Sequence, residues 1–414
     1  MTKSTRREDQ GLISYEKALT GLKRAINWRL PIEQLKTEKA LGRVLRQDLR
    51  SGFNIPPFRK SAMDGYAVKA KDTEGATEKN PAVLSVIEEI PAGKKPMRKL
   101  GNGDASRIMT GAALPEGADA VVMVEYTKRD DKARKVKIFA PARDGQNMGQ
   151  AGEDVKKGSL VLSSGIVMGP AEMGMAASLG KSGLKVTRKP KVAVISTGDE
   201  LNQPGKTRKK SGIYDSNGYS LVGLANARGC EADFLGIARD SADKLKAKLK
   251  QAEKADLVLL TGGVSVGDYD FVTEVLRSTA RDEIFYGVAI QPGKPTFAGK
   301  KSKRLFFGLP GNPVSCMVCF ELFVRPAIDL MTAKKDIGMI PGKAYMEADF
   351  KVKPGRRKFL RASITKRGPE MVVTPFKSQK SGVLSSMIGN EVLIDVPGGV
   401  SELKKDSIVG LWWR

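Results

Sequence analysis

Three short segments hold the residue types that could do chemistry: Ile195-Ser-Thr-Gly-Asp-Glu-Leu, Leu260-Thr-Gly-Gly-Val-Ser-Val-Gly-Asp-Tyr-Asp and Gly308-Leu-Pro-Gly-Asn-Pro-Val. Gly262, Gly263 and Gly267 let a backbone approach a phosphate, and a helix starting behind them offers unpaired N–H groups and a positive dipole end. Asn312 suits an N-cap and Pro313 the first helical position. One such loop is ordinary turn and capping chemistry. Two in one sheet, beside a third loop carrying acids, point to an anion site. The acids are Glu200, Asp240 and Asp270. Each alone has a plainer reading: Asp270 as a helix cap, Asp240 as a turn residue before Ser241. Together they suggest a Mg²⁺ site, because hard oxygen ligands hold Mg²⁺ against substrate phosphates. Lys294, in Gln291-Pro-Gly-Lys-Pro, either adds a compact cation on the same side or is an exposed loop lysine.

The elements that must position these loops alternate. Lys191–Thr197 reads as a buried strand, followed by a helix over 219–228 that Gly229 stops. Strand 233–237, helix 243–254, strand Leu257–Thr261 and helix Phe271–Ala280 come next, and then strand Arg304–Leu309 and a helix over 313–330. This alternation predicts a parallel sheet with helices on both faces, whose strand ends carry the three loops. On the N-terminal side, residues 14–28 read as an amphipathic helix capped by Ser14, with Ala18, Leu22, Ala25 and Ile26 on one face. Residues 51–144 are short β-prone runs broken by Gly, Pro and Asn, and 340–414 return to short β runs. A connecting stretch at 155–187 includes a helix-compatible run over 171–179.

Composition narrows the chemistry. Among 414 residues there is no histidine, which removes Ser-His-Asp triads, His-ligated zinc and any imidazole base. The three cysteines cannot build a disulfide framework and fit a reducing compartment. Cys316 and Cys319 have CxxC spacing but fall in an apolar run, so they read as buried helix residues. Lys plus Arg exceed Asp plus Glu by 71 − 46 = 25, but the basic runs are dispersed and no nucleic-acid-binding motif accompanies them. The expectation is no nucleic-acid partner. No stretch reaches the ~18 apolar residues of a membrane span, and the charged N-terminus carries no visible signal peptide, so a cytoplasmic protein without a membrane partner is expected.

Further motifs occur in one order along the chain: Ser61-Ala-Met-Asp-Gly-Tyr-Ala, Met109-Thr-Gly-Ala, Gly152-Glu-Asp, Ser196-Thr-Gly-Asp-Glu-Leu, Ile213-Tyr-Asp-Ser-Asn, Gly262-Gly-Val-Ser-Val-Gly, Pro292-Gly-Lys-Pro and Gly308-Leu-Pro-Gly-Asn-Pro-Val. In this the chain resembles the molybdopterin molybdenumtransferases of molybdenum-cofactor biosynthesis and is similar to the E domain of gephyrin. The resemblance implies an α/β and β multidomain fold. An elongated helical part covers 1–50 and 150–188, an inserted β-rich module 51–149, a central α/β molybdopterin-binding domain with a parallel sheet 189–333, and a C-terminal β barrel 334–414. It implies a homodimer whose clefts are shared between subunits. Asp64, Thr110 and Asp154 would come from the second subunit, and Glu200, Asp240 and Asp270 would be the catalytic and Mg²⁺-holding carboxylates. Asp215, Gly262, Gly263, Ser265, Lys294, Pro310 and Pro313 would contact substrate. Arg361 and Ser381 are similar to molybdate-contacting positions. The substrates implied are molybdate and adenylated molybdopterin, and the upstream molybdopterin adenylyltransferase is the macromolecular partner to look for.

The chain departs from the pattern in three places. Gln291 stands where some relatives have lysine, Asn147-Met-Gly149 lacks the arginine usual before Gly-Glu-Asp, and Lys380 replaces a glycine. Two functions compete. One is an enzyme that inserts molybdenum and releases AMP. The other is a non-catalytic molybdopterin-binding scaffold on the same fold. The complete set of acids and glycine loops favours the enzyme.

Overall fold

Lys191–Thr197 and Leu257–Thr261 are apolar almost without alternation, which suits strands covered on both faces. A computed structural model describes residues 11–264 and 271–414. The chain divides into two compact units, Met1–Gln47 with Ser164–Met173 and Ser182–Arg414, and Asp48–Ser163 with Gly174–Lys181.

In the larger unit, elements are numbered from Lys191. They run β1 (Lys191–Thr197), α1 (Asn217–Ala227), β2 (Glu231–Ala238), α2 (Ala242–Gln251), β3 (Leu257–Thr261), α3 (Phe271–Ala280), β4 (Asp282–Tyr286), β5 (Phe297–Lys301) and β6 (Arg304–Leu309). The six strands form one sheet in the order β2-β1-β3-β6-β5-β4. The β2-β1-β3-β6 half is parallel, as the alternation predicts, whereas β5 and β4 add antiparallel strands on one side. Their run after α3 has no intervening helix, so the chain returns by a hairpin (Lys301 opposite Arg304) rather than a crossover.

The expected single helix over 313–330 is split into α4 (Pro313–Cys319), a π-helical turn (Phe320–Val324) and α5 (Arg325–Thr332). Pro326 has no N–H for the carbonyl four residues back, and the wider π register absorbs that gap. The turn also buries Glu321, whose carboxylate takes Arg325 Nη1 and Arg228 Nη2, each at 3.1 Å. Cys316 and Cys319 are buried free thiols whose pKa values burial pushes up to about 12, so they are packing residues of this helix. An N-terminal helix, Tyr15–Ala25, is capped by the Ser14 hydroxyl on Lys17 N–H at 3.2 Å. It buries Ala18 and Leu22 completely in the core that also holds Phe323 and Phe359, and a fully buried leucine contributes about 1.5–3 kcal/mol.

The C-terminal strands are β7 (Ile340–Met346), β8 (Arg357–Arg367), β9 (Glu370–Pro375), β10 (Val392–Val396) and β11 (Ile408–Trp413). They pair β8-β9-β7-β11-β10, and β10 pairs back onto β8, closing a five-stranded barrel. A short strand, Ile290–Gln291, runs parallel to β8 at Arg357 and Lys358. The smaller unit is built on a six-stranded half-barrel sheet in the order Ala120–Met123, Gly65–Val68, Asp104–Ile108, Ala82–Ile90, Lys135–Ile138, Thr127–Asp130. Apolar clusters around Tyr66 and around Ala67, neighbours that point opposite ways, cover its two faces. Among the described residues no helix is long and apolar enough to cross a membrane.

Candidate active site

Sheet register sets the site. Ser196 of β1 lies beside Thr261 of β3, and Thr261 beside Leu309 of β6. The three loops singled out in the sequence therefore leave the sheet at one level, at the carboxyl ends of parallel strands where open α/β sheets bind ligands. A cleft of about 370 Å³ opens there; Thr197, Glu200, Asp215, Asn217, Gly262 and Pro313 are among its lining residues.

Gly262 and Gly263 have φ of +91° and +65°, a backbone path closed to most side chains. A Cβ on Gly262 would enter the Thr197 carbonyl, and one on Gly263 would stand 2.5 Å from Val272. The glycines thus bring loop backbone against β1 and α3, and Gly262 lines the cleft with backbone alone. Ser265 and Asp270, the expected site residues next along the sequence, lie outside the described residues.

Asp215 is buried and lines the cleft with both oxygens bonded: Ser196 Oγ donates at 2.6 Å and Gly218 N–H at 3.1 Å. It fastens the start of α1 to β1. Beside it, Asn217 is 8% exposed, and its Nδ2 donates to Thr261 Oγ1 at 2.9 Å and to the Gly311 carbonyl at 2.8 Å. Its Oδ1 has no partner. Rotating the amide would aim that oxygen at the Gly311 carbonyl, oxygen against oxygen, so the acceptor has no partner within the protein in the orientation that keeps both Nδ2 bonds. Thr261 Oγ1 donates in turn to the Pro310 carbonyl at 3.3 Å. Pro313 opens α4, and the next N–H, of Val314, donates to the Ser381 carbonyl at 3.1 Å.

Arg361, on β8, is wholly buried. Its Nη2 donates to the carbonyls of Ser378 at 2.8 Å and Lys380 at 3.3 Å, while Nε and Nη1 have no partner. Burial pulls its guanidinium pKa down. Arg361 therefore grips the segment that carries Ser381 and keeps one charged edge unpaired, a costly arrangement for a buried cation. Lys294 is half-buried on the loop after Ile290–Gln291 and is not among the cleft-lining residues.

Glu200 and Asp240 are exposed at the ends of β1 and β2. Glu200 folds its carboxylate back over Gly198, where a side chain would collide with it. The Asp199 N–H donates to Asp240 at 3.3 Å and the Asp240 N–H to Asp199 at 3.4 Å, so Asp240 stands beside the Asp199-Glu200 turn. Arg239 donates to the carbonyls of Asp199 at 2.9 Å and Leu201 at 3.1 Å and stiffens that turn. Among the described residues no three His, Cys, Asp or Glu side chains form a metal-holding group. The donors are hard oxygens open to water, which fits Mg²⁺, an ion that keeps several waters and takes one or two carboxylates plus substrate phosphate.

In the smaller unit, Asp64 Oδ1 accepts from Thr110 N–H at 2.7 Å and Thr110 Oγ1 at 2.8 Å. These two bonds hold its carboxyl below the ordinary aspartate range. Asp64 and Thr110, 46 residues apart in sequence, form an exposed pair on adjoining loops. Asp154 is also exposed, with its N–H on the Ile55 carbonyl at 3.1 Å.

Asn217 and Thr261 lie within the motifs Ile213-Tyr-Asp-Ser-Asn and Leu260-Thr-Gly-Gly, where nothing local marks either as a site residue. Only the pairing of β3 with its neighbours makes them a bridge across the cleft.

Three family models cover most of the chain: MoeA N-terminal region (domain I and II) at residues 13–180, a probable molybdopterin binding domain at 193–330, and MoeA C-terminal region (domain IV) at 343–409. A molybdopterin molybdenumtransferase of Bacillus subtilis is 36% identical over 370 residues, which is 89% of this chain and 86% of the relative. One from Staphylococcus aureus is 35% identical over 384 residues, 92% of this chain and 91% of its own length. The crystal structure of a molybdopterin biosynthesis moeA protein from Pyrococcus horikoshii superimposes with a TM-score of 0.81 at 32% identity, covering 97% of this chain and all of the other.

Proposed function

The chain belongs to the molybdopterin molybdenumtransferase family of molybdenum-cofactor biosynthesis, and from that premise we propose that it inserts molybdate into adenylated molybdopterin, with Mg²⁺-dependent cleavage of the adenylate and release of AMP. The observation that carries this reading is the cleft at the strand ends, where a bare glycine backbone and an unpaired buried acceptor converge. Such a surface suits a ligand that offers both phosphate and ring N–H donors, as an adenylated pterin does.

Each group has a task in this reading. The Gly262-Gly263 backbone lies against phosphate. Asn217 Oδ1 accepts from a pterin N–H and so fixes which way the ring enters. Asp215 keeps α1 and β1 together around it. The unpaired edge of Arg361, with Lys294, draws the molybdate dianion. Glu200 and Asp240, with Asp270, would hold Mg²⁺, which when bound offsets phosphate charge as the adenylate leaves. The leaving group is already good, so positioning and charge neutralisation supply most of the rate, and no imidazole is needed.

We further propose that the protein works as a homodimer in the cytoplasm, with Asp64, Thr110 and Asp154 completing the cleft of the other subunit. The Thr110 bonds keep Asp64 ionised and aimed, as a residue working in trans must be.

Purified protein given adenylated molybdopterin, molybdate and Mg²⁺ should release AMP as molybdenum becomes bound, and omission of either ion should stop both. Tight binding of adenylated molybdopterin with no AMP release under any ion condition would instead establish the scaffold.

A further inference from the structure

The C-terminal barrel carries a second pocket that shares no lining residue with the strand-end cleft. Its volume is about 230 Å³. Four of its lining residues are Lys351, Lys353, Lys358 and Lys377, and none is a carboxylate. Its walls include Phe350, Val352 and Leu360, and the short Ile290–Gln291 strand closes one side through Gln291, which pairs with Lys358.

Lys358 decides what the pocket is for. Leu360 and Ala362 of β8 belong to the barrel core. Lys358 shares their parity along the strand, so its side chain enters the barrel mouth. It is 7% exposed, and its Nζ makes one hydrogen bond, to the Arg356 carbonyl at 3.3 Å. Burial, with the neighbouring charges of Arg356 and Lys353, lowers its pKa. Gln379 is neutral, and its amide oxygen already accepts from the Arg361 N–H while its Nε2 donates to the Arg361 and Phe376 carbonyls. A lysine sunk among other lysines without a carboxylate is a costly arrangement. Arg361 stands three residues along and therefore faces the other side of β8.

We propose that this barrel mouth is a binding site for a small aryl phosphate: a flat apolar body seated between Phe350, Val352 and Leu360, with its anion on Lys358. Barrel mouths are common ligand sites, and a few placed polar groups in an apolar wall give them specificity. Bare phosphate would leave the apolar wall wet, whereas a large nucleotide exceeds the space.

The test is calorimetric titration of the full-length protein with phenyl phosphate and, separately, with inorganic phosphate. Phenyl phosphate should bind once per chain and more tightly than inorganic phosphate. Lys358→Met should weaken it about tenfold or more, the loss of one charge-assisted bond, and Lys358→Arg should restore most of the affinity. Lys377→Glu, at an exposed position that leaves the fold alone, should weaken it as well. Saturating molybdate should leave the binding in place. Unchanged affinity in Lys358→Met or Lys377→Glu overturns the proposal. So does displacement by molybdate, or equal affinity for the two phosphates. None of these outcomes depends on whether the chain releases AMP.

Discussion

Replacing Asn217 by alanine separates what that side chain does for the fold from what it does for the ligand. Its Nδ2 makes two hydrogen bonds, at 2.9 and 2.8 Å, tying α1 to the ends of β3 and β6. At roughly 0.5–1.5 kcal/mol each, their loss should destabilise the domain by about 1–3 kcal/mol. The melting temperature then falls by about 2–4 °C for each kcal/mol. Its Oδ1 is unpaired without ligand, so deleting it costs the free protein nothing further and charges its whole effect to the complex. One neutral hydrogen bond is worth about 1 kcal/mol, or about fivefold in Kd for adenylated molybdopterin. The assay is anoxic titration with that ligand beside a melting curve, run against Val275→Ala. Val275 is a buried residue of α3, and its truncation should lower the melting temperature without moving Kd. If Asn217→Ala melts earlier yet binds the ligand as tightly as the wild type, the acceptor does not read the pterin.

Further outcomes follow from the same contacts. Glu200→Gln and Asp240→Asn should retain binding of adenylated molybdopterin while Mg²⁺-dependent AMP release falls by tenfold or more, roughly the effect of losing one charged ligand; a release assay with a Mg²⁺ titration reads this. Asp270→Asn should lose molybdenum insertion while the protein stays folded and dimeric, and a fully active variant removes Asp270 from the metal site. Thr110→Val removes the hydroxyl bond to Asp64 and should raise that carboxyl toward the ordinary aspartate value, followed by its carboxyl carbon resonance against pH. Because the folded pKa of Asp64 is depressed, its stabilising contribution is present above the unfolded aspartate pKa and is lost as the pH falls through the folded value; the variant should show a weaker acid dependence there. Gly262→Ala should destabilise by at least about 1–2 kcal/mol from the positive φ alone, with the Thr197 carbonyl adding to it, as measured by urea unfolding.

Much of this molecule was legible in its sequence because the signals are local. Ser14 and the spacing of Ala18 and Leu22 announce the N-terminal helix, and Lys191–Thr197 and Leu257–Thr261 announce buried strands by lacking polar alternation. The absence of histidine limits the chemistry to carboxylates, cations and backbone before any fold is known. Less legible were the antiparallel β4 and β5, whose short runs carry no sign of strand direction, and the π turn at Phe320–Val324, where one missing N–H competes with an apolar run that favours a continuous helix.

What the sequence determined alone is the inventory: which loops can lie against phosphate, which acids stand at strand ends, and which glycines the backbone needs. Only the tertiary structure decided which polar atoms are left over. Asn217 closes a motif whose expected contact is Asp215, Arg361 stands out only through the resemblance, and Lys358 is one cation of a dispersed basic run. Each becomes informative because neighbours distant in sequence use up some of its hydrogen bonds, or bury it, and leave one group without a partner. Whether a buried group is satisfied is a property of everything packed around it, and no run of residues along the chain contains that sum.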